Sequence, residues 1–407
     1  MELGPYSQTL IWFFTIALVF GALANKTNFC TMGAVSDWAN FGNLNRMRSW
    51  VLAIAFTVIG VGVLEYLGLL DMSLTVSNET STPPYRFSNF VWLRYLVGGV
   101  MFGIGMTLAS GCGNKTLVRL GEGNLKSLVV LLMIIASASL MFFTSFDYNL
   151  FLQWMNPLSI DFGVMGANGQ DIASVISVVA DIDDTPALRL MVPLIVGGIQ
   201  LVWVFMSADF RREKLLIFTG LVIGGLALLC WYLTAGPQGL ELIEEIEFMD
   251  NPPYATGAQS VTFIGPTAHL AQYVYSGFEF TYLSLGVVLL LGVVAGSFLY
   301  TLIFRGIRLE WFVAWDDFFR HVIGGILMGI GGVLALGCTI GQGITGFSTM
   351  AMGSFVSIAG IVVASMMTMK YQYYSMLHDE SSVLDVFITV LADMHFLPDR
   401  LRRLEDL

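Results

Sequence analysis

Charge is scarce in this sequence. Only 12% of its 407 residues are Asp, Glu, Lys or Arg, about half the roughly 25% of a soluble domain. That shortage excludes an ordinary soluble globule. With 56% hydrophobic residues and a mean hydropathy of +0.74, long uncharged apolar runs read as membrane spans in a lipid bilayer. Basic residues are scarcer than acidic ones, 19 against 30, for a net charge of −11, which argues against a nucleic-acid partner. The acidic excess sits largely in loops such as Asp181–Asp184 and Glu241–Asp250, so it reports on topology. The four histidines (His269, His321, His378, His395) have no metal-ligand spacing, and no Ser/His/Asp or phosphate-loop pattern occurs. Neither a metal, another cofactor nor an enzymatic activity is therefore expected. The four cysteines, Cys30, Cys112, Cys230 and Cys338, are too scattered for a disulfide framework or a CxxC site. No basic stretch precedes the first apolar run, so no cleavable signal peptide is expected.

Glycine, by contrast, is plentiful at 43 residues, and much of it belongs to a duplication. Arg94–Cys112 reads RYLVGGVMFGIGMTLASGC, and 226 residues later Arg320–Cys338 reads RHVIGGILMGIGGVLALGC. Ten of the nineteen positions agree without a gap. Each copy ends at a Gly-Cys pair and leads into a short polar, glycine-rich segment. A fixed internal period of this kind decides the architecture before any single motif does.

Around the copies the chain divides into nine apolar spans, at about 9–25, 49–70, 91–109, 125–145, 188–206, 215–235, 281–304, 320–338 and 353–370. Between the first two lies 27–43 (TNFCTMGAVSDWANFGN), too polar for a lipid-facing helix and too apolar for a loop, which reads as a re-entrant or broken segment carrying Cys30. The basic connectors (Arg46/Arg48; Lys115/Arg119/Lys126; Arg211/Arg212/Lys214; Arg305/Arg308) all fall on one side if the amino terminus is outside. By the positive-inside rule that side is cytoplasmic. The 71–90 loop and the acidic 146–187 and 236–280 segments then face outward.

The expected fold is an all-α polytopic membrane protein, with about nine transmembrane helices plus short re-entrant helices, arranged as two inverted-topology repeats. Residues 1–187 form the first half (spans one to four, re-entrant segment 27–43, outer loop 146–187). Residues 188–370 form the second (spans five to nine, re-entrant segment about 258–275), and 371–407 is a cytoplasmic tail. In such folds the substrate site lies near the midplane where the repeats meet, since glycine-rich irregular backbone survives at membrane depth only where it lines a cavity. A shift of 232 residues lays NFCTMGAVSDW over SVTFIGPTAHL, placing Cys30 opposite Thr262 and Asp37 opposite His269.

Cys112 and Cys338 are singled out because they occupy the same place in both copies. Each stands just before a helix start, where unpaired N–H groups favour negative charge and glycines admit a ligand to the backbone. The candidate pathway residues are therefore Cys30, Cys112, Cys338, Gly111, Gly113, Asn114, Lys115, Gly337, Thr339, Gly341, Gln342 and Thr262. Small-residue helix packing is the competing explanation for the Gly-Cys pairs. Lys115 and Arg119, one helical turn apart, would hold an anion at the cytoplasmic mouth or simply answer the positive-inside bias. Glu65, inside a span, is a functional candidate by its depth or an acid reaching toward the nearby exit. Arg94 and Arg320 read as interface residues, and Asp316-Asp317 with His321 as a solvated cluster.

Three segments, NFCTMGAVSDW with RMRSW, SGCGNKTLVRLGEGN, and GGILMGIGGVLALGCTIGQGITGFSTMAMGS, resemble the YeeE/YedE family of bacterial inner-membrane sulfur-transport proteins. The likeness covers most of 10–370. It implies import of thiosulfate past a few central cysteines, without a wide channel, and makes a TusA-like cytoplasmic sulfur carrier a candidate partner. Cys112 and Cys338 match the family's paired Gly-Cys cysteines. The family's remaining cysteine falls in the second half, where this chain reads QSVTFIGP; Cys30 takes the symmetry-related place in the first half, as in the longer branch. That departure leaves another sulfur or selenium species open beside thiosulfate. A membrane sulfur-relay protein forming a cysteine persulfide is the alternative of a different class.

Overall fold

The computed structural model describes residues 4–76, 83–378 and 380–404. Residues 77–82 of the expected outer loop, and Asp379 and 405–407 of the tail, lie outside the described residues. Helix dominates, with one two-residue antiparallel ladder, Asn89–Phe90 on Ile160–Asp161. Among the described residues, nine helical stretches are long and apolar enough to cross a membrane, so the protein is an all-α, multi-pass membrane protein.

We label the main helices α1 (Pro5–Thr27), α2 (Thr31–Phe41), α3 (Asn45–Tyr66), α4 (Trp92–Leu108), α5 (Gly113–Glu122), α6 (Leu125–Phe143), α7 (Ile172–Val179) and α8 (Pro186–Met206). They continue as α9 (Lys214–Ala235), α10 (Pro237–Glu247), α11 (Ile264–Tyr275), α12 (Leu285–Phe304), α13 (Trp315–Leu334), α14 (Met352–Leu377) and α15 (Val383–Asp393). Their starts follow local chemistry. Thr185 caps α8 by accepting from Leu188 N, with Pro186 at the first position, where no N–H is missed. Ser284 caps α12 in the same way through Val287 N. The segment 27–43 holds the short helix α2, which begins immediately after Cys30. The proposed counterpart at 258–275 holds α11.

The two repeat copies lie against each other, antiparallel, through glycine. A Cβ on Gly98 would come within 2.7 Å of Gly331 O, and one on Gly105 within 2.7 Å of Gly324 O. Gly331 is the copy of Gly105 and Gly324 the copy of Gly98, so each contact is the twofold mate of the other. Such self-complementary pairing is what a two-fold axis produces. Backbones this close explain why the glycines of both copies stand where they do.

Neighbouring helices are exchanged across the same axis. Gly99 and Gly103 of α4 face Ser357 and Ile361 of α14, while Gly325 and Gly329 of α13 face Val130 and Ile134 of α6. Likewise Gly21 of α1 meets Val293 of α12, while Gly224 of α9 meets Ala53 of α3. Helices early in the chain therefore pack mainly on helices late in it. The remaining span, α8, rests on α3 through Gly62 against Pro193 and Gly197 against Ile59.

Glu65 is not left to reach for solvent. Arg86 donates to both its oxygens, at 2.6 and 2.8 Å, and Arg86 Nε also donates to Thr349 O at 3.0 Å. Only 4% of Arg86 is exposed. The loop after α3 folds back over this helix end, and a carboxylate covered in that way needs a paired cation. Burial alone would pull the Arg86 guanidinium down; the Glu65 carboxylate outweighs it and moves it up. Beside the pair, Arg189 grips Asp184 and its hydrogen bond holds that carboxyl below the usual range. Arg94 is an interface residue as expected, donating to Leu334 O at 2.9 Å, whereas Arg320 is half exposed and pairs with Asp316. His321 is buried under Phe312 rather than solvated.

Candidate functional site

Each of the three cysteines singled out above is placed by a break in helical structure. Cys30 is extended and stands immediately before α2. Cys112 is extended and stands immediately before α5. Cys338 precedes a wide π turn over Gly341–Gly346, and Gly341 N donates to its sulfur at 3.4 Å. The corresponding N–H groups, of Gly33 and Lys115, face the sulfurs of Cys30 and Cys112. All three thiols thus sit where backbone donors gather and helix dipoles favour electron-rich groups. Both repeat copies reach their Gly-Cys pair through a left-handed residue, Ser110 at φ 56° and Leu336 at φ 59°. Non-glycine residues pay for that conformation, and here the cost occurs at the same place twice.

The thiols converge. Cys30 Sγ lies 3.7 Å from Cys112 Sγ, and the Cys112 side chain faces Thr339, the residue next to Cys338. Cys112 and Cys338 are fully buried and Cys30 is 7% exposed. Thr262 lies against Gly341, where a Cβ would come within 2.5 Å of the threonine oxygen, and Phe263 backbone borders Cys338. Thr262 therefore stands to the Cys338 turn as Cys30 stands to Cys112. Gly113 is packed by Ile264, which ties α5 to the start of α11.

Polar groups among these sulfurs are partly unsatisfied. Asn114 Nδ2 donates to Phe29 O at 3.1 Å, but the buried Asn114 Oδ1, Thr31 Oγ1 and Thr339 Oγ1 have no hydrogen-bond partner among the described residues. Buried polar atoms are seldom left so, and three of them around the cysteine cluster leave unused hydrogen-bonding capacity. Gln342 is committed elsewhere, donating to Ala335 O at 2.5 Å and accepting from Ser354 Oγ. Its role is to hold the turn. Gly337 is equally structural, since its N–H donates to Gly332 O at 2.7 Å. Gly111 leaves room for the Lys115 stem, and Lys115 Nζ donates to Asn28 Oδ1 at 2.9 Å. Cys230 is buried within α9, away from any helix start.

The sequence does not foreshadow what closes the site. Tyr85 OH donates to Gly341 O at 3.0 Å, Trp231 Nε1 donates to Ser348 Oγ at 3.1 Å, and the Trp50 ring fills the space over Gly343. These aromatics come from three separate segments, and no spacing connects them. The glycines of GQGITG are legible in hindsight: each admits a neighbouring side chain to the backbone.

On the other side the cluster opens. A cavity of about 820 Å³ reaches Cys30 and is lined by Arg46, Lys115, Arg119, Lys126, Arg305 and Arg308 against Glu122, Glu310 and Asp317. Six basic side chains face three acidic ones, an excess that attracts anions. Asp37 and Arg46 pair at its rim, so that Asp37 neutralises one of the six.

The sulphur transport family model matches residues 26–367. This chain belongs to that family. Within it, the thiosulfate transporter TsuA of Escherichia coli is 25% identical over 368 residues, covering 85% of this chain and 89% of the relative. The thiosulfate transporter TsuA of Spirochaeta thermophila is 25% identical over 358 residues, covering 84% and 92%. The family match takes in both repeat copies and all four cysteines.

Proposed function

We propose that this chain imports a small sulfur-containing anion, thiosulfate first among the candidates, along Cys30, Cys112 and Cys338. The observation that carries the reading is the 3.7 Å approach of Cys30 to Cys112 beneath a basic cavity. A neutral thiol donates a weak hydrogen bond, and successive buried thiols replace hydration stepwise along the pathway. Orphaned oxygens of Thr31, Asn114 and Thr339 supply further contacts on the way. In this reading residues 1–187 and 188–370 are the inverted halves, with Thr262 and Thr339 contributing from the second. The basic cavity is the cytoplasmic mouth, the amino terminus is periplasmic, and the Tyr85–Trp231 cover closes the opposite side. The membrane is then the bacterial inner membrane. The test is uptake of labelled thiosulfate, sulfite and selenite into cells lacking their own transporters, with C112A and C338A variants. Normal thiosulfate uptake by both variants would sink the pathway.

A second reading rests on the size of the cavity, which far exceeds what one small anion fills. A protein acceptor could reach Cys30 there, so the thiol would take sulfane sulfur (thiol plus thiosulfate giving persulfide plus sulfite) and pass it to a cytoplasmic carrier. Mass spectrometry after exposure to thiosulfate separates the two: a persulfide on Cys30 or Cys112 supports relay, unmodified thiols support transport.

A further inference from the structure

We propose that Glu122 sets how readily the anion leaves the basic mouth, by holding a fixed negative charge among the cations the anion meets. The inference rests on the transport reading above and adds a residue to it. Glu122 ends α5 and lines the cavity that reaches Cys30. Its Oε1 lies 4.0 Å from Lys115 Nζ and 3.7 Å from Arg305 NH1. That atom is buried, yet among the described residues it accepts no hydrogen bond. Tight pairs are within this fold's means, as Glu65 and Arg86 show at 2.6 Å. The difference has a visible cause. Lys115 is held back by Asn28 and Arg119 by Ser110 O, at 2.9 and 2.8 Å, so the cations stay on the wall of the cavity instead of collapsing onto the carboxylate.

Helix stability does not explain Glu122. An acid at the last position of a helix opposes the negative end of its dipole. Its charge instead offsets the attraction that Lys115, Arg119 and Arg305 exert on a dianion. Passage requires binding strong enough to enter and weak enough to leave. Without Glu122 the mouth would retain the dianion.

The test is a comparison of thiosulfate uptake kinetics in wild type, E122Q and E122D, with direct titration of thiosulfate into the purified proteins. E122Q lowers KM and Vmax together, each by roughly threefold to tenfold, and tightens binding, with the difference shrinking in high salt. E122D, which keeps the charge, stays close to wild type. Should E122Q fail to reach the membrane, R305Q reads the same balance with opposite sign, raising KM and Vmax together; an R305Q protein with KM and Vmax both unchanged then overturns the proposal. Unchanged KM and Vmax in E122Q, or a raised KM, overturns the proposal. Absence of thiosulfate uptake by wild type overturns the transport reading instead, so the two failures are distinct.

Discussion

The sulfurs of Cys30 and Cys112 stand 3.7 Å apart although 82 positions separate them in the chain. The contact joins two helix starts, those of α2 and α5, and places two thiols in one buried cluster. On the transport reading proposed above, the contributions of two touching sulfurs should not add. Cys30→Ala and Cys112→Ala should each lower thiosulfate uptake about tenfold, the loss of roughly one hydrogen bond's worth of free energy, with membrane insertion intact. The double variant should cost less than the product of the two single losses. Independent, multiplicative losses in labelled-thiosulfate uptake would show that the thiols act separately.

Close glycine contacts between the two repeat copies should be equally intolerant on both sides of the axis. Gly98→Ala and its mate Gly324→Ala each place a Cβ within 2.7 Å of backbone oxygen, and each should cost about 1–3 kcal/mol through overpacking. Gly198→Ala is the control. Nothing lies within 4 Å of its added Cβ, and a helical glycine replaced by alanine gains roughly 0.5–1 kcal/mol. Thermal unfolding in detergent checks all three, and a harmless G324A beside a damaging G98A would contradict the twofold packing.

Arg86 should be needed only because Glu65 is there. Removing Arg86 leaves the covered Glu65 carboxylate to the more distant Arg189, 3.5 Å away, so Arg86→Ala should destabilise the protein by up to about 3 kcal/mol. Combining it with Glu65→Gln should restore part of the loss. An R86A/E65Q protein less stable than R86A alone would mean that the guanidinium acts mainly through Thr349 O.

Acid should weaken the Arg189–Asp184 contact. The Asp184 carboxyl is held below its ordinary range by the Arg189 hydrogen bond, so it adds stability above the unfolded value of about 3.9, and that gain disappears as pH falls through the folded value. Between about pH 5 and pH 3 the melting temperature of wild type should fall more steeply than that of D184N. Parallel slopes would remove Asp184 from the acid response.

Much of the scaffold is legible in the sequence. Nine spans follow from apolar run length, because a bilayer demands about twenty apolar residues per crossing whatever the neighbours are. Cys112 and Cys338 could be singled out because a duplication marks equivalent positions without any knowledge of what they touch. The pairing of Cys30 with Thr262 at a different offset was visible only as a faint alignment, since most side chains there have diverged. Glu65 and His321 were harder: whether a titratable group in a connector is solvated depends on whether another segment folds over it, and here Arg86 and Phe312 do.

The sequence by itself determined which stretches are long and apolar enough to cross a membrane, the equivalence of the two Gly-Cys units and the basic character of the connectors between spans, because composition and repetition are properties of the chain alone. Only the tertiary structure decided which helices exchange across the axis, that Cys30 touches Cys112, that Tyr85, Trp231 and Trp50 cover the glycine turn, and that Glu122 Oε1 faces Lys115 and Arg305 at 4.0 and 3.7 Å. Those are contacts between segments far apart in sequence. Close packing selects them through the shapes of whole helices, which no local pattern of residues encodes.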